Sequence, residues 1–144
     1  MLKVGDRAPR FEALEKHRGK RVVLYFYPKD DTPGCTQEAC EFRDLHQAFG
    51  NEGAVILGVS PDGEASHAKF QTKYGLPFVL VSDEQKKIVQ QYGAWKEKSM
   101  YGRKYMGVER TTFLIEEHGK IARIWEKVKV KGHAQELLEA VSAK

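Results

Sequence analysis

The sequence predicts an α/β fold in which helices flank a central mixed β-sheet. Two continuous apolar runs, residues 22–27 and 54–59, have the β-rich composition of strands that are buried on both faces. Each run is followed by a segment whose apolar residues recur at helical spacing. With 144 residues, 41% of them hydrophobic, the chain is long enough for one domain that spans residues 1–144.

The first half of the chain predicts a βαβα unit. The strand at residues 22–27 ends at Pro28, and a helix over residues 36–50 follows, with Gly50 as its stop. A second strand at 54–59 leads to a helix over 64–74 that Gly75 closes. Because crossovers of this kind are right-handed, we expect the two strands to be parallel.

The second half adds strands and two helices. A third strand is predicted at residues 77–81, a short helix at 85–92 and a fourth strand at 111–115. Residues 121–128 can pair antiparallel with the fourth strand, and the alternating lysines and valines of 127–131 suit an edge strand with one solvated face. A helix over 133–143 closes the chain. This order of elements predicts a sandwich of the thioredoxin type.

Composition narrows the class of protein. The net charge of +4 is spread in mixed blocks, which is typical of a solvated surface. Lys3, Asp6 and Arg7 are charged, so the first residues lack the apolar run of a signal peptide, and no segment has membrane-spanning length. We therefore expect a cytoplasmic protein. Two cysteines and five scattered histidines do not form a tetrahedral zinc set, and we expect neither a metal nor another cofactor.

The chemistry is predicted in the turn that joins the first strand to its helix. Thr32 suits an N-cap and Pro33 the first helical position, which would place Cys35 in the first turn. Unpaired backbone N–H groups and the positive end of the helix dipole favour the thiolate there. Lowering the pKa of a thiol from about 8.5 to well below 7 raises the thiolate fraction only about 30-fold at neutral pH, which is equivalent to about 2 kcal/mol of activation free energy. Other groups must therefore stabilise the charge that develops in the transition state. Arg110 and Thr32 are the candidates.

These motifs resemble those of the peroxiredoxins, in the bacterioferritin-comigratory (PrxQ-like) subgroup. The pattern P-x-x-x-T-x-x-C is present as Pro28, Thr32 and Cys35. The resemblance extends from about Leu2 to the C-terminus and includes residues 25–30, 101–107 and Arg110 before 112–115. The stretch between Pro9 and the first strand is shorter than usual in the family, so a trimmed N-terminal hairpin is expected.

The resemblance implies a function and roles for these residues. It makes Cys35 the peroxidatic cysteine that reduces hydrogen peroxide and organic hydroperoxides, with Thr32 bonding the thiolate or the peroxide. It makes Pro28 a shield against water and Arg110 the source of positive charge. Cys40 matches the resolving position, which would form an intramolecular disulfide, and the implied reductant is thioredoxin, or a glutaredoxin. Since one chain supplies both thiols, we expect a monomer.

The spacing of the cysteines carries a further expectation. Five residues on one helix place Cys35 and Cys40 about 7.5 Å apart along the axis and about 140° apart around it. A disulfide needs Cα atoms within about 7 Å and converging Cβ vectors. The first turns of the helix must therefore unwind between peroxide reduction and resolution.

Three alternatives stay open at this point. Cys40 could be a buried apolar residue with no chemistry. Residues 92–105 interleave aromatic and basic side chains, which would suit single-stranded nucleic acid but equally cover a long surface loop beside an active site (Tyr92, Trp95, Lys96, Lys98, Tyr101, Arg103, Lys104 and Tyr105). A disulfide oxidoreductase is the rival enzyme, although that class normally carries C-x-x-C.

Overall fold

The computed structural model describes residues 1–143 and contains seven strands and six helices. In chain order these are α1 Glu12–Glu15, β1 Arg21–Phe26, α2 Pro33–Asp44, α3 His46–Asn51, β2 Ala54–Ser60, α4 Glu64–Tyr74, β3 Val79–Ser82, α5 Lys87–Gln91, β4 Trp95–Met100, β5 Arg103–Val108, β6 Thr111–Ile115, β7 Ile121–Trp125 and α6 His133–Ala143.

Five strands form one mixed sheet in the order β3-β2-β1-β6-β7. β1 pairs in parallel with β2, and β2 with β3, whereas β6 runs antiparallel to β1 and β7 antiparallel to β6. The predicted fold class, a central mixed sheet flanked by helices, is confirmed. β1 lies in the middle because its apolar run has two buried faces, each of which contacts its own apolar cluster.

Gly58 on β2 shows how tightly one of these clusters is packed. A Cβ atom at this position would lie 2.9 Å from the ring of Tyr25 and 2.9 Å from a methyl group of Leu80. Real Cβ atoms do not approach so closely, so only glycine leaves room for the buried phenol of Tyr25 beneath α2.

Three expectations about the elements were wrong. The helix expected over 36–50 is two helices, because Leu45 leaves helical geometry between α2 and α3. The long loop expected after α5 is the hairpin β4–β5. The strand after the 116–120 turn ends at Trp125, and residues 127–131 are not an edge strand, since Lys127 adopts a left-handed backbone with φ 48°.

The short N-terminal region runs along the edge of the sheet. Gly5 N–H donates to the Ile121 carbonyl at 2.8 Å, and Ile121 N–H donates to the Asp6 carbonyl at 2.8 Å. A single antiparallel bridge joins Arg7 to Lys120, so these residues partly cover the start of β7 without forming a full strand. In the described part of the chain, no helix is long and apolar enough to cross a membrane.

Candidate active site

The turn after β1 brings Cys35 to the end of the sheet where the parallel strands finish. Pro33 takes the first position of α2, where its missing N–H and fixed φ suit a helix start. Cys35 follows in the first turn, and its side chain is buried, with 2% of the residue exposed. The sulfur therefore lies at a helix N-terminus but beneath the surface.

Thr32 precedes the helix with extended backbone, as an N-cap residue does. Its hydroxyl does not cap the helix, contrary to the expectation. It donates instead to the Lys29 carbonyl at 2.9 Å, three residues back in the loop. The side chain thus closes the turn locally, as threonine hydroxyls do when they bond to a nearby backbone carbonyl.

Arg110 reaches the sulfur from the start of β6, the strand that pairs with β1 on the side away from β2. It lies just before β6, and its Nη2 donates to Cys35 Sγ at 3.3 Å. Gly34 permits this approach, since a Cβ there would lie only 3.3 Å from the same nitrogen. Burial opposes the charge of Arg110, but Glu38 and Cys35 together raise its pKa. The guanidinium is therefore charged at every pH at which a cysteine thiol ionises.

Glu38 is the principal site residue that the sequence reasoning missed. Arg110 Nη1 donates to Glu38 Oε1 at 2.6 Å, so one guanidinium contacts both the carboxylate and the sulfur. Glu38 is 1% exposed, and its Oε2 has no hydrogen-bond partner among the described residues. Burial raises the pKa of Glu38 to about 7, although the charge of Arg110 opposes the shift.

A signal for Glu38 was present in the sequence. It lies three residues after Cys35 and one before Ala39, on the face of α2 that the buried residues define. An acidic residue on the apolar face of a helix is rarely buried without a partner. That partner, Arg110, lies 72 residues further along the chain.

The other predicted residues take separate positions. Pro28 directly follows β1 and is half-buried. Cys40 is half-buried on α2, the same helix as Cys35, and both cysteines are free thiols. The structure thus brings Cys35 and Arg110 into contact, while Cys40 lies more than a helical turn away.

A second polar cluster anchors the loop between β1 and α2. Asp30 accepts hydrogen bonds from Tyr27 (2.6 Å), Ser66 (2.7 Å) and His67 Nδ1 (2.7 Å). His67 Nε2 faces the Val81 carbonyl at 3.0 Å. Burial opposes the charge of His67, but Asp30 raises its pKa; burial would raise the pKa of Asp30, but its three donors lower it. The contact is a buried ion pair when His67 is protonated, and the raised pKa of His67 favours that state.

Within residues 1–143, this cluster also holds the one group of three side chains that could bind a metal ion. Asp30, Asp62 and His67 offer ligand atoms within 4.8 Å of one another. Hydrogen bonds join the three, since the Asp30 N–H donates to Asp62 at 2.7 Å and His67 bonds to Asp30. We assign the cluster to loop anchoring.

Comparison with known proteins shows which sequences this chain resembles. The model of the AhpC/TSA family matches residues 4–124. The chain is 46% identical to the peroxiredoxin Bcp of Bacillus subtilis, over 97% of this chain and 95% of that one. It is 48% identical to a putative peroxiredoxin bcp of Coxiella burnetii, over 95% and 97%.

Solved structures show the same similarity. A mutant PrxQ of Xylella fastidiosa is 37% identical with a TM-score of 0.93, over 99% of this chain and 97% of that one. The bacterioferritin comigratory protein of Xanthomonas campestris, described in connection with alkyl peroxide reduction, is 46% identical with a TM-score of 0.86, over 90% of this chain and 83% of that one.

Proposed function

This chain belongs to the AhpC/TSA family, among the peroxiredoxins called Bcp or PrxQ, and we propose that Cys35 is the sulfur with which this thiol peroxidase attacks hydroperoxides. The observation that carries the proposal is the 3.3 Å contact between Arg110 Nη2 and Cys35 Sγ at the start of α2. Hydrogen peroxide and organic hydroperoxides are the substrates.

In the first step the Cys35 thiolate attacks one oxygen of the peroxide bond. An S–O bond forms, the O–O bond breaks, and the departing alkoxide or hydroxide takes a proton to leave as an alcohol or water. Negative charge moves from the sulfur toward the departing oxygen, and Arg110 can stabilise it throughout because its guanidinium already faces the sulfur. Cys35 becomes a sulfenic acid.

Three further residues support this step in our proposal. Glu38 is a positioning residue: by binding Nη1 it leaves Nη2 directed at the sulfur. The Thr32 hydroxyl donates to the Lys29 carbonyl, and its oxygen is free to accept a hydrogen bond from the O–H of the peroxide. Half-buried Pro28, which offers no N–H donor, limits the approach of water to the sulfur.

In the second step the Cys40 thiol condenses with the sulfenic acid. A Cys35–Cys40 disulfide forms and the sulfenic oxygen leaves as water. Both cysteines lie on α2, where five residues separate their Cα atoms by about 7.5 Å along the axis. That geometry supports our expectation that the first turns of α2 unwind, because a disulfide tolerates at most about 7 Å and converging side chains.

Thioredoxin, or a glutaredoxin, closes the cycle. One thiolate of the reductant attacks the disulfide to form a mixed disulfide, and its second thiolate displaces it. Two electrons and two protons pass to Cys35 and Cys40, and the reductant leaves oxidised. We propose that residues 1–144 act as one domain and as a monomer in the cytoplasm, without nucleic acid, membrane, metal or other cofactor.

The test is peroxide-dependent NADPH consumption, coupled through thioredoxin and its reductase. Cys35→Ser should be inactive, and Cys40→Ser should complete about one turnover per chain and stop. Mass spectrometry should then find the Cys40→Ser protein as a Cys35 sulfenic acid. Steady turnover by Cys35→Ser would contradict the proposal, and insulin reduction without peroxide consumption would indicate a disulfide oxidoreductase instead.

A further inference from the structure

The β4–β5 hairpin is a separate two-stranded sheet that ends two residues before Arg110. Its strands pair with each other and not with the main sheet. Much of its surface is exposed, including the large apolar side chains of Met100, Tyr101 and Met106. A projecting hairpin with apolar and charged side chains can serve as a contact surface for another molecule.

The register separates the two faces of the hairpin. Met100 opposes Arg103, Lys98 opposes Tyr105, and Lys96 opposes Gly107, so these side chains share one face, which we call the basic face. Because Gly107 lacks a side chain, the stem of Lys98 and the ring of Tyr105 pack over the strand at that point. The opposite face carries Trp95, Glu97, Ser99, Lys104, Met106 and Val108.

The faces also differ in charge. The basic face holds three cations and no carboxylate of the hairpin itself. Lys96 is paired with Glu109, outside the strands, at 2.9 Å, whereas Lys98 and Arg103 make no ion pair with any residue among 1–143. On the opposite face, the single cation Lys104 lies 3.8 Å from Glu97. Unpaired positive charge is thus concentrated on one side.

The basic face continues into the candidate active site. Arg110 follows the end of β5 by two residues. Burial, and then repulsion by Arg110, lower the pKa of half-buried Lys98, while the charge of Cys35 acts in the opposite direction. Lys98 is therefore close enough to Arg110 and Cys35 for their charges to affect its pKa.

We propose that the basic face is the docking surface for the dithiol protein that reduces Cys35, a thioredoxin-class reductant with acidic residues around its own thiols. The inference rests on the proposed function. The reductant has to reach the Cys35–Cys40 disulfide, and the hairpin that directly precedes Arg110 offers unpaired Lys98 and Arg103 with Met100 and Tyr105 between them. Acidic side chains and an apolar centre complement that pattern.

Two other occupants fit the face less well. A second copy of this chain, placed by two-fold symmetry, would bring the same cations against each other, which is unfavourable. A nucleic acid would meet only two unpaired cations on this face, too few for the salt-dependent affinity that phosphate contacts provide.

Arg103→Glu and Lys104→Glu form a matched pair for the test. They are neighbouring, exposed cations on opposite faces, and each substitution changes the net charge equally. The probe is a thioredoxin of net negative charge, kept reduced by its reductase and NADPH. For Arg103→Glu, kcat/KM toward thioredoxin should fall about five- to tenfold at low salt, and for Lys104→Glu less than about twofold. Raising the ionic strength should reduce the difference.

Two controls separate docking from chemistry. With dithiothreitol as a small, uncharged reductant, both variants should turn over peroxide as the wild type does. The rate of Cys35 oxidation by hydrogen peroxide in a single turnover should also be unchanged, because Arg103 does not contact the site.

Several results would overturn the inference. These are equal losses in the two variants, no loss in either, slowed Cys35 oxidation in Arg103→Glu, retention on single-stranded DNA at physiological salt that Arg103→Glu abolishes, or turnover with dithiothreitol but not with thioredoxin. Failure of the proposed function itself would look different, because the wild type would then consume no peroxide even with dithiothreitol.

Discussion

Replacing Glu38 with glutamine should remove a large part of the pH dependence of stability. Glu38 is almost fully buried against Arg110, and its pKa rises from 4.5 to about 7 because burial disfavours the ionised carboxylate. The folded state therefore holds the Glu38 proton more tightly than the unfolded state does. Its stabilising contribution is complete below pH 4.5 and is lost as the pH rises through 7.

The size of the effect follows from the two pKa values. Proton linkage over the shift from 4.5 to about 7 implies that ionisation of Glu38 lowers the free energy of unfolding by roughly 2 to 3 kcal/mol between pH 5 and 8. Glutamine cannot ionise, and its side-chain oxygen can still accept the Arg110 N–H. The Glu38→Gln protein should thus match the wild type near pH 5 and exceed it in stability near pH 8.

Urea unfolding of the reduced protein, followed by tryptophan fluorescence at pH 5, 6, 7 and 8, measures this difference. The comparison cancels every other titrating group, since only Glu38 differs. Glu139→Gln, an exposed position on α6, is the matched control and should follow the wild type at each pH. If the curves for Glu38→Gln and wild type are parallel from pH 5 to 8, the burial argument is refuted.

Three further outcomes are expected. His67→Asn should lower the free energy of unfolding by about 3 to 5 kcal/mol near pH 6, because it leaves Asp30 buried without its cation. This loss should become smaller as the pH rises through the raised pKa of His67. Urea midpoints at pH 6 and 9 test this, and an unchanged midpoint at pH 6 would contradict it. Gly58→Ala should lower the free energy of unfolding by about 1 to 3 kcal/mol through overpacking. Gly50→Ala is the control, because nothing lies within 4 Å of the added carbon there, and equal losses in the two variants would count against the steric argument. Arg110→Lys should slow Cys35 oxidation about 100-fold in rapid mixing, since one ammonium cannot contact both partners, and a rate near wild type would exclude that role.

Local patterns were enough to predict the sheet and the position of the sulfur. The apolar runs that form β1 and β2 identified the central strands, because burial on both faces requires an unbroken apolar sequence. Pro33 identified the start of α2 and hence the first-turn position of Cys35. The resemblance to peroxiredoxins supplied the roles of Thr32 and Cys40, and these stay predictions.

Elements without a distinct local signal were missed or misjudged. The hairpin β4–β5 is mostly exposed and mixes aromatic, basic and apolar residues, so its alternation has no buried side to reveal it. Its strands are defined by pairing with each other. The break at Leu45 was hidden because the apolar spacing continues through α2 and α3 to Phe49.

Composition and spacing are local properties, and they were therefore sufficient to identify the buried segments and the cysteine that begins a helix. Which charged side chains contact one another became visible only in the folded chain. Arg110 reaches Glu38 across 72 residues, and His67 reaches Asp30 across 37. Such contacts depend on how the strands are ordered in the sheet, and the free energy of a buried charge depends on the partner that this order places beside it.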